Sequence, residues 1–252
     1  MLKKKSSIKV LFILFFCLQI HSNAFSENIH NLFFEANKAY EQENYKDAAL
    51  KYNGIVQKGF ATGDLYYNLG NCYLRMDETG RAILYYEKAK KLLPRDADLD
   101  FNLRYARDQI SDKAEDKKDF SMLHWLRDFT LSELFWFFIY VNLFFWSSLI
   151  IRKWIYTEWS YYMMVACLII WILSGASLSA KYYNIINDKR AVVVSSETIV
   201  RAGPDKKDTE LFKLHSGTIV TCERTDSHWS LIQFTDNKRG WTEASNVIEI
   251  TN

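Results

Sequence analysis

Tyr66-Tyr67-Asn68-Leu69-Gly70-Asn71-Cys72-Tyr73 decides how the first third of the chain folds. Moved by 34 residues, the sequence falls on itself: Leu32 on Tyr66, Ala36 on Gly70, Asn37 on Asn71, Ala48 on Ala82, Tyr52 on Tyr86 and Ile55 on Ala89. Small residues at Gly70 and Ala82 let two antiparallel helices approach closely, Tyr73 and Tyr86 fill the space around that contact, and Pro94 ends the second helix. One unit therefore occupies 63–96 and an earlier one about 29–62, where Glu35 replaces the expected Leu and Phe60 the expected Pro. Asp100-Phe101-Asn102-Leu103 repeats only the start of a third unit before Arg104 replaces the Gly, so 97–110 is expected to be a capping helix.

This is the tetratricopeptide pattern, and it makes residues 25–110 an α-helical repeat domain. Such helix pairs form a concave groove lined by the first helix of each unit. Phe33, Asn37, Tyr40, Tyr67 and Asn68 are candidate groove residues from the first two such helices. Asn71, Leu74, Arg75, Phe101 and Tyr105 extend the set toward the cap. Tetratricopeptide domains of the carboxylate-clamp type hold a partner's C-terminus with Asn and basic side chains. Asn37 and Asn68 match the Asn positions of that clamp, whereas Phe33, Phe101 and Tyr105 stand at the basic ones. An aromatic groove for an extended or helical peptide is the expectation, and packing of some of these rings into the core is the alternative.

The charge is distributed unevenly. The whole chain sums to +2, which excludes a strongly basic nucleic-acid binder. Residues 120–180 carry three bases and three acids but six of the eight Trp. Within them, 134–151 and 159–180 are free of charge and each long enough to cross about 30 Å of hydrocarbon. Two spanning helices are expected at 131–151 and 159–180, joined by a short loop at 152–158 and preceded by a linker at 111–130. Asn142, deep in the first span, is expected to bond to the second helix, and Gly175 and Ser179 give a small-xxx-small spacing.

Lys3, Lys4, Lys5 and Lys9 precede or flank an apolar run that ends in Ser22 and Ala24, the form of a secretory signal at 1–24. An uncleaved anchor is the alternative. A signal would deliver the first domain outside, and Arg152 and Lys153 on the inner loop agree with the positive-inside rule. Both soluble domains would then be periplasmic; the competing topology places both in the cytoplasm.

After the second span, short alternating runs at 191–194, 198–201, 210–215, 219–223, 230–234 and 240–242 suggest a small all-β barrel over 188–252. Val200-Arg201-Ala202-Gly203-Pro204, Leu214-His215-Ser216-Gly217, His228-Trp229 and Arg239-Gly240-Trp241 resemble bacterial SH3-like domains. That resemblance implies a possible ligand surface at Arg201, Trp229 and Trp241, for peptidoglycan or a protein; the alternative is that both Trp are core. His215, Cys222 and His228 are too loosely spaced to hold zinc. No phosphate loop, HExxH, GxSxG or paired-Cys motif occurs, so no catalytic residue, cofactor or metal is expected, and the chain is read as no enzyme.

The fold class expected is thus a multidomain membrane protein: tetratricopeptide domain, two-helix transmembrane hairpin, SH3-like barrel. That order, with the stretch from Tyr67 through Pro94-Arg95-Asp96-Ala97-Asp98 to Asn102-Leu103, resembles the E-type proteins of the Bat (Bacteroides aerotolerance) operons of Bacteroidetes and some other Gram-negative bacteria. The resemblance implies an inner-membrane scaffold beside von Willebrand factor A-type Bat proteins and, indirectly, a MoxR-type ATPase, in oxygen or stress tolerance. A cell-envelope sensor whose SH3-like domain binds peptidoglycan is the rival reading.

Overall fold

A computed structural model of the chain describes residues 29–112 and 124–250. The expected signal and the central part of the expected linker lie outside the described residues.

Five helices build the N-terminal domain: α1 (29–41), α2 (Tyr45–Gln57), α3 (Gly63–Arg75), α4 (Thr79–Leu92) and α5 (Ala97–Asp108). Their starts are written locally, since Thr62 accepts from Leu65 N at 3.3 Å and Asp96 from Leu99 N at 2.8 Å. Both intra-unit turns use a left-handed non-glycine residue, Glu43 and Asp77, each at φ 59° and 34 positions apart. The repeat thus extends to backbone conformation. Gly70 and Ala82 meet as expected: a Cβ on Gly70 would overlap the Tyr86 ring, and Ala82 is fully buried. The irregular first unit still forms, because Glu35 points outward to pair with Lys51 at 3.4 Å and Phe60 packs on the core edge. α5 caps the second unit by burying Leu99, Leu103 and Ala106.

α6 (Leu131–Trp154) and α7 (Glu158–Ile186) form a hairpin, and both are long and apolar enough to cross a membrane. α6 continues through Arg152 and Lys153, so the turn is only residues 155–157, shorter than the loop expected. The rest of the protein covers few of their side chains; Phe144, Ile150 and Leu173 stand outward. A soluble core helix would bury such groups, and a contiguous apolar patch of this size is not kept in water. Across the seam, Trp171 stacks on Phe145 at 5.4 Å and on Phe138 at 6.3 Å, and Gly175 lies against Phe138. Among the described residues, Asn142 makes no bond to α7, contrary to expectation.

The C-terminal domain is all-β and antiparallel: β1 (Arg190–Val193), β2 (Glu197–Arg201), β3 (Glu210–His215), β4 (Ile219–Thr225), β5 (Trp229–Thr235), β6 (Lys238–Glu243) and β7 (Val247–Glu249). Its order is β3-β2-β6-β5-β4-β1-β7. The sheet does not close into the expected barrel, since β3 and β7 end the order without pairing. It nonetheless curls on itself, because Leu214 of β3 and Val247 of β7 share one core with Val200, Val220 and Ile232. Register shifts at Val200/Arg201, Cys222/Arg224 and Gln233/Thr235 supply that curvature.

Candidate partner-binding surfaces

On the tetratricopeptide face, the 34-residue register reappears as hydrogen bonding. Tyr52 donates its hydroxyl to Asn37 Oδ1, and Tyr86 donates to Asn71 Oδ1 at 2.7 Å. Asn102 donates in turn to the Tyr67 hydroxyl at 3.0 Å and to Asn71 Oδ1 at 3.1 Å. Burial pushes the Tyr52 and Tyr86 phenols well above their usual range, so they stay protonated and donate. Asn37 and Asn71, among the expected groove residues, therefore hold buried hydroxyls. A buried tyrosine needs such a partner, and these residues supply it.

The remaining groove candidates divide into two groups. Phe33 packs edge-on to Tyr52 at 5.6 Å, Tyr67 lies against Tyr86 at 6.0 Å, and Leu74 packs on the same core. Tyr40 packs edge-on to Tyr45 at 5.1 Å, and the Arg75 guanidinium lies 5.9 Å from the Tyr45 ring centre. Phe101 and Tyr105 differ: both are exposed. The free aromatic surface of this face is thus concentrated on α5.

The second candidate surface lies on the sheet. Along β5, Trp229 and Leu231 alternate with buried Ser230 and Ile232, and along β6 Trp241 lies between buried Gly240 and Thr242. Pairing puts Arg201 opposite Trp241 and Trp241 opposite Leu231, so the three form a row across three strands with Trp229 on the diagonal. Both Trp are half-buried on the face away from the core. Arg201 is already engaged, by an ion pair to Glu210 at 3.0 Å and a bond to the Asp208 carbonyl at 3.1 Å. An aromatic platform with a neutralised edge results.

A third contact has no counterpart in the sequence-based expectations. α4 docks on β1, and Val192 and Ile250 of the sheet domain enter the tetratricopeptide core. Gly80 N donates to Ser216 Oγ at 3.1 Å, and a Cβ on Gly80 would sit 2.7 Å from the Val193 carbonyl. Facing it, Gly217 takes φ +91° against Ile83 and Ile110. Asp112 accepts from His215 N at 2.6 Å and from Thr218 Oγ1 at 3.1 Å. Beside this, buried Glu87 pairs with Arg107 and, at 3.2 Å, with Arg190; Arg190 continues to Asp188 at 2.9 Å, and Lys91 joins Asp188 at 2.7 Å. Burial alone would raise Asp188, but the bonds from Arg190 and Lys91 outweigh it and hold its carboxyl at about 2. At the base, Arg95 pairs with Glu133 at the start of α6.

Compared with known proteins, residues 63–96 match the tetratricopeptide repeat family. No curated protein matches the chain. The match covers the unit that the quoted stretch opens, and that repeat is a module of protein–protein interaction.

Proposed function

We propose that the chain is a non-enzymatic adaptor of the inner membrane whose tetratricopeptide and sheet domains recruit protein partners on one side of the bilayer. The observation that carries this reading is the docking of α4 on β1 at one end of the hairpin, which presents a repeat face and a sheet face as one body. The resemblance to the E-type Bat proteins supplies the partners: von Willebrand factor A-type Bat proteins and, through them, a MoxR-type ATPase, in oxygen or stress tolerance. The signal-like start and Arg152 and Lys153 beside the turn between the two helices support the periplasmic placement of both domains. Arg75→Glu reverses an exposed charge beside Tyr40 and Tyr45 without disturbing the Asn–Tyr network. Crosslinking of the detergent-purified full chain should recover a von Willebrand factor A-type partner, and Arg75→Glu should reduce that recovery severalfold. Equal recovery with Arg75→Glu, or no such partner with the unaltered chain, defeats the reading.

A second reading is favoured by the half-exposed tryptophans: a cell-envelope sensor that lays peptidoglycan on Trp229 and Trp241. Retention of the full chain on purified sacculi, lost in Trp229→Ala, supports the sensor; no retention supports the adaptor.

A further inference from the structure

α6 carries two stripes of the same spacing, set one position apart. Leu134, Phe138, Val141, Phe145 and Ser148 recur at steps of four and three, and they make the seam with α7. Leu134 and Ser148 are buried there, and Phe138 and Phe145 stack on Trp171. Phe135, Ile139, Asn142, Trp146 and Leu149 follow the same steps, about 100° further round the helix. α7 does not fill this second stripe: Phe135 is 47% exposed and Trp146 56%, and Ile139, Asn142 and Leu149 are half-buried. Its middle position is the polar one. The Asn142 carboxamide has no hydrogen-bond partner among the described residues, midway along a helix long and apolar enough to cross a membrane. Hydrocarbon holds no water to bond such a group, so an unpaired amide at this depth draws a polar partner from another helix.

We propose that the second stripe pairs with the same stripe of a second copy, as a parallel two-helix contact with Asn142 against Asn142 at its centre. Depth and chemistry both select that occupant. Copies inserted in one orientation and related by a twofold along the membrane normal have parallel α6 helices, so residue 142 lies at the same depth in each. A carboxamide both donates and accepts, so two of them satisfy each other without a third group. One Asn in an otherwise apolar stripe of this spacing is also the arrangement that fixes register and a two-stranded state. Neither long stretch outside the described residues can take the place. Residues 113–119 carry six charges, and the apolar run at 10–18 is too short to line a stripe that extends from 135 to 149. The contact sets two repeat–sheet bodies side by side on one face of the bilayer, so a partner with two binding segments gains avidity. It goes beyond the adaptor reading and does not depend on it.

The test uses the full chain in liposomes, with its four cysteines replaced by Ala and Asn237→Cys carrying a donor or an acceptor dye. Energy transfer should rise with the protein-to-lipid ratio, level off, and follow the acceptor fraction as a dimer does. Asn142→Leu should lower the association constant about tenfold, whereas Asn142→Gln, which keeps the amide, should retain most of it. Unchanged circular dichroism confirms that both variants are folded. In the same cysteine-free chain, without the dye site, Phe135→Cys and Leu149→Cys lie one heptad either side of Asn142. Each should give disulfide-linked dimers when native membranes are treated with copper phenanthroline, and Phe137→Cys and Phe144→Cys, on the opposite face, should not. A chain that stays monomeric at every ratio overturns the proposal, as does energy transfer indifferent to Asn142→Leu or crosslinking through Phe137→Cys and Phe144→Cys. So does a crosslink of Leu149→Cys to a different membrane protein in place of its own copy, because the occupant would then be that partner. The adaptor reading is decided separately, by the Arg75→Glu crosslinking result.

Discussion

Asn71 is the residue at which the sequence and the structure part most instructively. By sequence it is a candidate groove residue; folded, its carboxamide oxygen is occupied by Tyr86 and Asn102. Two substitutions separate the roles. Tyr86→Phe removes one hydroxyl but leaves Asn71 bonded to Asn102, so it should cost about 1 kcal/mol of stability. Asn71→Ala leaves the buried Tyr86 hydroxyl short of its acceptor and should cost about 1–3 kcal/mol. Chemical denaturation of the detergent-solubilised chain measures both, and an Asn71→Ala variant as stable as the parent would make the residue a free groove ligand. Gly70 is a plainer case. Its missing side chain is the space the Tyr86 ring fills, so Gly70→Ala should lose about 1–3 kcal/mol by overpacking, seen as a lower unfolding midpoint.

Among the elements, the least expected relation is that of α4 to β1. The helices, the hairpin and six of the seven strands could be read from periodicity and turn residues, because each is specified by neighbours a few positions away. β7 is not legible in the sequence, because Val247–Glu249 is three residues long and its alternation is too short to register. The docking could not be read at all, since Gly80 and Ser216 are 136 positions apart and Glu87 and Arg190 are 103 apart. The tryptophan faces are legible in the sequence only as two alternatives, because the side of the sheet on which each ring lies depends on strand register. The α4–β1 junction also carries a pH dependence. The Asp188 carboxyl lies below its ordinary value, so it contributes stability that is complete above about pH 4 and is lost as pH falls toward about 2. Asp112 is likewise lowered: burial opposes this, but the bonds from His215 and Thr218 prevail, and its contribution fades in the same acidic direction. Asp188→Asn should lower stability at neutral pH by about 2 kcal/mol and remove that part of the acid loss. A pH series of thermal unfolding that is superimposable for the two proteins would show that the Arg190–Asp188–Lys91 chain does not hold the junction.

At the scale of the molecule, the docking puts both soluble domains at one end of the hairpin, a relation that charge counting could only suggest. Two domains that share a core, one entering α6 and the other leaving α7, lie at the same end of the hairpin, and the turn at 155–157 lies at the other. With α6 and α7 in a bilayer, the domains face one compartment and Tyr156 the opposite one. The native thiols are poor reporters of this, because Cys72 and Cys222 are buried and burial pushes the Cys72 thiol up to about 12. Exposed positions serve instead. In a chain whose cysteines are replaced by Ala, Ala61→Cys in the repeat domain and Asn237→Cys in the β5–β6 turn should react together with a membrane-impermeant maleimide, and Tyr156→Cys should react only after the inner membrane is opened. If both compartments are exchanged, with Tyr156→Cys labelled first and both domains later, the hairpin holds but the periplasmic placement falls. If Ala61→Cys and Asn237→Cys label in different compartments, the α4–β1 contact itself is refuted, because no membrane-spanning arrangement can keep Glu87 paired with Arg190 across a bilayer.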